Sequence, residues 1–484
     1  MANVELKPES VFRIFDEINQ VPRPSGHEEK MGAYLKDFAQ KNGIDFKMDE
    51  AGNVLLSKPA TPGFENRKTV VMQAHQDMVC EKNPDVEIDF MKDPIRTKIE
   101  GEWLMAQGTT LGADNGIGIA MALAVMTDDT LKHGPLECLF TVDEERGLTG
   151  AEAIQSGFMN GSILLNLDSE DEGEIFVGCA GGIRTNATYT YTPIEVPEGY
   201  IFLEIAFKNG KGGHSGDDIN KGFANANKVL NRFLYRALKK FDMYLCSFNG
   251  GGLHNAIPRD AKAVIAVPMK DKENIRVDFN IWSAAVKEEF KRTEPNLEFT
   301  MESTDAQPAI DRETAKGLIY SIKAVHNGIF ALSRDIPGLV ETSSNLASVK
   351  MGNNNTINIC SSQRSSADNG KAVMSNTVGA ALEMGGAEIE FGAAYPGWAP
   401  NMDSEILKVA KQTYHKLFGK EPKVKAIHAG LECGLFKERY PHMDMISFGP
   451  TLRGVHSPEE RMLIPTVQLC WDHLVAILES IPEN

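Results

Sequence analysis

The chain has 484 residues, 42% hydrophobic and 24% charged, which is long enough for two or three domains and excludes a stapled mini-protein or a disordered chain. Acidic residues outnumber basic ones by 67 to 50, a formal net charge of −17, and no Lys/Arg cluster interrupts the excess. A broad phosphate-binding surface is excluded, and nucleic acid is not expected as a partner.

Helical periodicity over residues 10 to 40, broken at Pro22 to Gly26, predicts two opening helices. Short apolar runs ending in polar or Gly-rich turns come next: NVLLSK, KTVVMQAH, LECLFTVDEE and SILLNLDSE, with a helix at Gly116–Met126 between the second and third. This is the texture of an α/β sheet with helices on both faces. From about residue 185 the pattern becomes α+β, with antiparallel strands expected. Strands are predicted at 201–208, 261–268, 296–302 and 355–361, and helices at 222–241, 273–292, 311–329 and 369–385. The α/β pattern resumes after Ala394–Pro400 with a helix over 402–418, strands at 423–428 and 443–448, and a closing helix over 464–481. The expectation is an α/β domain made of residues 1–184 and 396–484, interrupted by an inserted α+β domain at 185–395.

The longest run without a charge or strong polar group, Gly116 to Met126, is well short of the ~20 apolar residues that cross a bilayer, so no membrane partner is expected. The opening MANVELKPES lacks a basic flank followed by an apolar block, so no secretory signal is read and a cytoplasmic location is expected. Seven scattered cysteines without CxxC spacing read as reduced, mostly core residues.

In open α/β sheets, ligands gather at the carboxyl ends of the strands. There VVMQA runs into His75-Gln76-Asp77, CLFTV into Asp143-Glu144-Glu145, ILLNL into Asp168, and DMISF into a loop carrying His456. Asp114 stands at a helix start in LGADNGIG. Imidazole and carboxylate together suit Zn²⁺, with Mn²⁺ and Co²⁺ as close competitors. The groups exceed what one tetrahedral ion needs, whereas two ions about 3.5 Å apart could share a bridging carboxylate, with Asp114 as the candidate. Asp77, two residues after His75 in extended chain, can accept a hydrogen bond from the ring nitrogen that faces away from metal. Of Glu144 and Glu145, one can bind metal while the other accepts a proton; spacing alone does not say which. Taken singly, each group is more often a cap, a turn residue or a solvated side chain. Gly116-Ile117-Gly118 lacks the third glycine of a dinucleotide loop, and Asp114 would repel a pyrophosphate.

The segments VVMQAHQDMV, TTLGADNGIGIAMALAV, TVDEERGLTGA and NLDSEDEGEIFVGCAGG resemble the co-catalytic zinc peptidase family that includes carboxypeptidase G, the tripeptidases and the aminoacylases. GGHSGDDI, HNAIPR, HAGLECGLF and GPTLRGVHSPEE extend the likeness, the last group toward bacterial dipeptidases that split Xaa-His dipeptides such as β-alanyl-histidine. The resemblance implies two Zn²⁺ per subunit, one held by His75, Asp114 and Asp168 and the other by Asp114, Glu145 and His456. It makes Glu144 the general base and Asp77 the partner of His75. It implies that the insert is a lid with open and closed states and a dimerisation domain, so a homodimer is expected. His214, Asn255 and Arg364 in the insert, and Gly430 after it, become substrate contacts; ordinary turns and a surface arginine are the bland alternative. His428 and Asp143 receive no role. A tripeptidase, an aminopeptidase or an N-acyl amino acid deacylase would share this fold. A non-enzymatic metal-holding scaffold gives Glu144 no use, and a two-metal phosphohydrolase would want more Lys or Arg in these loops.

Overall fold

The computed structural model describes residues 5–483. The chain divides into two units, the first running through Gly178, then Pro400–Ala426 and from Leu431 onward, the second comprising Cys179–Ala399 and Ile427–Gly430.

Apolar runs without alternation, such as VVMQAH and LECLFT, suit strands covered on both faces. In the first unit they form the centre of an eight-stranded mixed sheet. Leu136–Thr141, Val70–His75, Ile163–Asn166 and Asp444–Ser447 lie side by side and parallel. On one side Val54–Lys58 pairs antiparallel with Leu136–Thr141, and Asp45–Met48 antiparallel with Val54–Lys58; Glu174–Cys179 and Lys423–Ile427 complete the other. The helix Ala113–Thr127, apolar around nearly its whole circumference, is buried between strand Val70–His75 and helix Glu9–Asn19. Because the four central strands run the same way, the segments after them leave from one edge of the sheet.

A small four-stranded sheet, ordered Leu452–Arg453, Arg461–Leu463, Trp103–Ala106, Thr97–Glu100, is not predicted from the sequence. Strands of two to four residues with mixed charge leave no period to detect. Its first hairpin carries the loop that holds His456.

On the closing helix Ile464–Glu479, buried His473 places Nε2 2.9 Å from the Ala410 carbonyl, and burial holds its pKa down to about 4. Between the ordinary histidine value near 6.5 and about 4, the unfolded chain takes up a proton here that the folded chain refuses. Stability from this group is therefore complete above pH 6.5 and falls, by at most about 1.4 kcal/mol per unit, as the solution is acidified. His473→Gln should flatten that limb in urea melts at pH 7, 5.5 and 4.5; an unaltered acid slope would contradict the assignment.

The second unit is a nine-stranded sheet, antiparallel throughout, ordered Glu298–Ser303, Tyr200–Lys208, Ala261–Pro268, Tyr244–Gly251, Val340–Met351, Thr356–Ser365, Gly181–Thr190, Glu388–Phe391, with Gly328–Leu332 also paired to Val340–Met351. Helices Ala226–Lys240, Lys272–Phe290, Arg312–Ala324 and Asp368–Glu383 contribute to its apolar core, where Phe207, Phe233, Phe248 and Ile319 are fully buried. Asn225 and Asp311 cap two of these helices, accepting from the N–H groups of Lys228 and Thr314.

Several strands of this sheet escape sequence prediction, Val340–Met351 most clearly. Its sequence VETSSNLASVKM is polar, yet most of it is buried. The polar side chains pair laterally instead of facing water: Thr342 Oγ1 lies 2.9 Å from Ser365 Oγ, and Ser344 Oγ 3.3 Å from Ser361 Oγ. Cross-strand hydroxyl pairing substitutes for the apolar alternation that marks a strand. Among the described residues, no helix is long and apolar enough to cross a membrane.

Candidate active site

His75 is the last residue of its strand and is fully buried. Its Nε2 lies 3.0 Å from Asp114 Oδ1 and 3.4 Å from Asp168 Oδ1. Its Nδ1 is 3.3 Å from Asp77 Oδ1. The Asp77 carboxylate also accepts the backbone N–H of Glu144 at 3.0 Å and of Glu145 at 3.2 Å. One buried acid thus orients the imidazole and holds the helical turn Glu144–Gly147 that carries both glutamates. The second oxygen of Asp114 lies 3.2 Å from Nε2 of His456, which is 2.9 Å from Glu145 Oε2. Asp114 therefore stands between two imidazoles, and donor atoms of His75, Asp114 and Glu145 all lie within 4.8 Å of one another. Asp143 and His456 hold left-handed backbone angles, φ 53° and 60°, a cost that persists where surrounding structure fixes the geometry.

The charge balance is lopsided. Burial lifts Asp168 to about 6, with Asp114 and Glu145 adding to the rise and His75 opposing it. Glu170 is pushed up to about 8 by burial and by Asp114 and Asp168. Burial likewise raises Glu144 well above the carboxylate range, helped by Asp168, Glu432 and Glu145 and opposed by His75. The imidazoles answer: His456 is pushed up to about 11 by its bonds to Asp114 and Glu145, and at His75 the acids outweigh burial and hold the pKa well above the ordinary value. Two imidazoles do not neutralise so many acids, and divalent cations would. Imidazole nitrogens and carboxylate oxygens around a shared aspartate form a donor set that fits two ions of the Zn²⁺, Co²⁺ or Mn²⁺ type. The Glu144 side chain is half-buried beside this cluster.

Other residues support this arrangement without any spacing signal in the sequence. Fully buried Arg23 donates from Nη1 to the carbonyls of Gln76 and Asp77, at 3.1 and 2.9 Å, and from Nη2 to that of Gly112 at 2.5 Å. A Cβ at Gly112 or Gly116 would run into this guanidinium, and one at Gly118 into the Asn115 side chain and the Leu167 carbonyl. Buried Glu460 accepts four consecutive backbone N–H groups, Leu111 to Asp114. Glu432, opening the helix Glu432–Arg439, accepts from Gln73 Nε2 at 2.6 Å and Thr141 Oγ1 at 2.9 Å, and burial lifts it to about 8. Asp143, given no role above, accepts from Arg146 Nε and Thr149 Oγ1 and so braces the glutamate turn.

In the second unit, Arg364 is 8% exposed. Its guanidinium donates to Tyr395 Oη at 3.1 Å and Ser215 Oγ at 3.4 Å, and Nη2 lies 3.4 Å from His214 Nε2. None of the three partners is a carboxylate. A Cβ at Gly430 would meet the Tyr395 ring at 3.1 Å, so Tyr395 joins the cluster although its place in a Pro-Gly turn gives no hint of it. Asn255 is exposed, and its carbonyl accepts the Ser215 N–H at 2.8 Å. His428 is buried, with Nε2 2.7 Å from Ser343 Oγ; burial, then the charge of Arg364, lowers it to about 4, so it stays neutral.

The family model for peptidase family M20/M25/M40 matches residues 71–480. The chain belongs to that family. Over 479 residues it is 44% identical to the cytosol non-specific dipeptidase of Escherichia coli (strain K12), spanning 99% of each chain. The crystal structure of aminoacylhistidine dipeptidase from Vibrio alginolyticus matches with a TM-score of 0.92 at 44% identity, covering 100% of this chain and 99% of the other. The fold is therefore that of the M20 peptidases, as the sequence motifs imply. Aminopeptidase PepT from Bacillus cereus ATCC 10987 shares the fold alone, at a TM-score of 0.58, 16% identity and 98% coverage of each chain.

Proposed function

We propose that this M20-family member is a cytoplasmic, two-metal dipeptidase that hydrolyses Xaa-His dipeptides such as β-alanyl-histidine. The observation that carries the reading is the position of Asp114 between His75 and His456, with Asp168 and Glu145 on its two sides. His75, Asp114 and Asp168 would hold one divalent cation and Asp114, Glu145 and His456 a second, zinc with Co²⁺ or Mn²⁺ as substitutes, which would supply Lewis acidity to the scissile carbonyl and acidity to the attacking water. Glu144 accepts the proton that water loses as its oxygen adds to the carbonyl carbon. It then delivers that proton to the departing nitrogen as the C–N bond breaks, leaving a carboxylate and an amine. Asp77 keeps the His75 ring oriented throughout.

We assign the substrate's free carboxylate to Arg364 and the Gly430 backbone, since the guanidinium is buried among uncharged partners. His214 and Asn255 supply further polar contacts, His214 to the developing oxyanion. A homodimer through the second unit fits the edge strand Gly328–Leu332, which leaves Ile329, Phe330 and Leu332 exposed. The cytoplasmic assignment is supported by the likeness to the cytosol non-specific dipeptidase of Escherichia coli.

The test is a substrate panel for the purified protein: β-alanyl-histidine, a dipeptide without histidine, a tripeptide and an acetylated amino acid. Turnover of the histidine dipeptide above the others is expected. Cleavage of the acetylated compound alone would make the chain a deacylase and overturn the reading, and preference for the tripeptide would make it a tripeptidase.

A further inference from the structure

Two buried charges beside the candidate metal centre hold no ligand position, yet their bonds converge on the chain segments that supply the ligands. Glu460 lies four residues after His456 and takes the N–H groups of Leu111, Gly112, Ala113 and Asp114 at 2.6 to 3.3 Å, two on each carboxylate oxygen. Those amides belong to the segment just before the helix is interrupted at Asp114 and Asn115, whose backbone angles are not helical, so the carboxylate fixes the irregular stretch that carries Asp114. Arg23 approaches the same loop with its guanidinium. It bonds the Gly112 carbonyl on one side and the Gln76 and Asp77 carbonyls, directly after His75, on the other. Its own carbonyl accepts the Met78 N–H at 3.1 Å, so the backbone around Arg23 is itself pinned to the segment after His75. The loop bearing Asp114 is thus held by its N–H groups to the segment of His456 and by a carbonyl to the segment of His75. Glycine at 112 and 116 leaves the guanidinium room to enter.

We infer that Arg23 and Glu460 are positioning residues, a clamp that fixes the Asp114 carboxylate between the two imidazoles and so sets cation affinity. The inference rests on the two-cation reading above. A part that served folding alone would need no such convergence. Each bond of the clamp instead lies within a few residues of His75, Asp114 or His456, and none reaches the residues assigned to substrate. Loss of either member should therefore loosen cation binding and lower kcat while leaving KM for the dipeptide nearly unchanged.

The experiment uses the full-length protein loaded with Co²⁺, whose visible d–d absorption reports coordination geometry. Glu460→Gln keeps the shape of the side chain but points an NH₂ group at backbone N–H donors. Arg23→Lys keeps the charge but cannot reach three carbonyls as a planar fork does. Each should weaken Co²⁺ binding, measured by competition with a chelator, by about 10- to 100-fold, the range for groups that orient metal ligands. Each should also alter the d–d bands. The neighbouring exposed Glu459→Gln should change neither. A folded Glu460→Gln or Arg23→Lys protein with wild-type Co²⁺ affinity and spectrum overturns the clamp. If neither variant folds even with saturating Co²⁺, the pair is structural and the inference fails. Wild-type protein that binds no Co²⁺ gives a different result: it overturns the two-cation reading, and the clamp with it.

Discussion

Replacing Glu144 by Gln is expected to lower kcat by about 10²- to 10⁴-fold, the range for a positioned general base, while bound metal and KM change little. Glutamine matches glutamate in shape but cannot take up the proton. The turn itself stays in place, because Asp77 holds it through the backbone N–H groups of residues 144 and 145. Glu144→Asp should recover part of the lost rate, since it restores the base at a shorter reach. Steady-state kinetics with metal analysis of the same samples checks this. A Gln variant that keeps kcat within about threefold of wild type would remove Glu144 from the mechanism.

Asp114→Asn should be more damaging. Each oxygen of Asp114 faces a different imidazole, at 3.0 and 3.2 Å. An amide offers one weaker oxygen and turns an NH₂ group toward the other site. Both cations lose a shared ligand, so bound zinc should fall to one ion per chain or fewer and kcat by at least about 10³-fold, several kcal/mol of lost charge stabilisation. Asp168→Asn, which alters a ligand assigned to only one cation, should retain more zinc than Asp114→Asn. Equal zinc content in wild type and Asp114→Asn would show that this aspartate bridges nothing.

These residues are legible in the sequence for a physical reason. Parallel strands buried on both faces read as unbroken apolar runs, and the fold gathers the residues just beyond their carboxyl ends along one edge. His75, the Glu144–Glu145 pair, Asp168 and the loop of His456 can be placed from that rule before any coordinates are seen. The choice between Glu144 and Glu145 cannot, because adjacent residues on a single helical turn differ in orientation and not in spacing. Arg23 and Glu460 also stay hidden. One sits in a Pro-Ser-Gly breaker and the other in a Ser-Pro-Glu-Glu loop, and both act on backbone groups, which every residue carries. Tyr395 is hidden likewise, since its hydroxyl reaches Arg364 only through the fold of the second unit. The polar strand Val340–Met351 shows the same limit for secondary structure: pairing between hydroxyls on neighbouring strands leaves no apolar period.

A pair of cations sharing Asp114 should be visible by anomalous diffraction at the zinc edge from crystals grown with zinc. Two peaks are expected to flank the Asp114 carboxylate, one beside His75 and Asp168 and the other beside Glu145 and His456. A single peak, or peaks away from Asp114, would contradict this expectation.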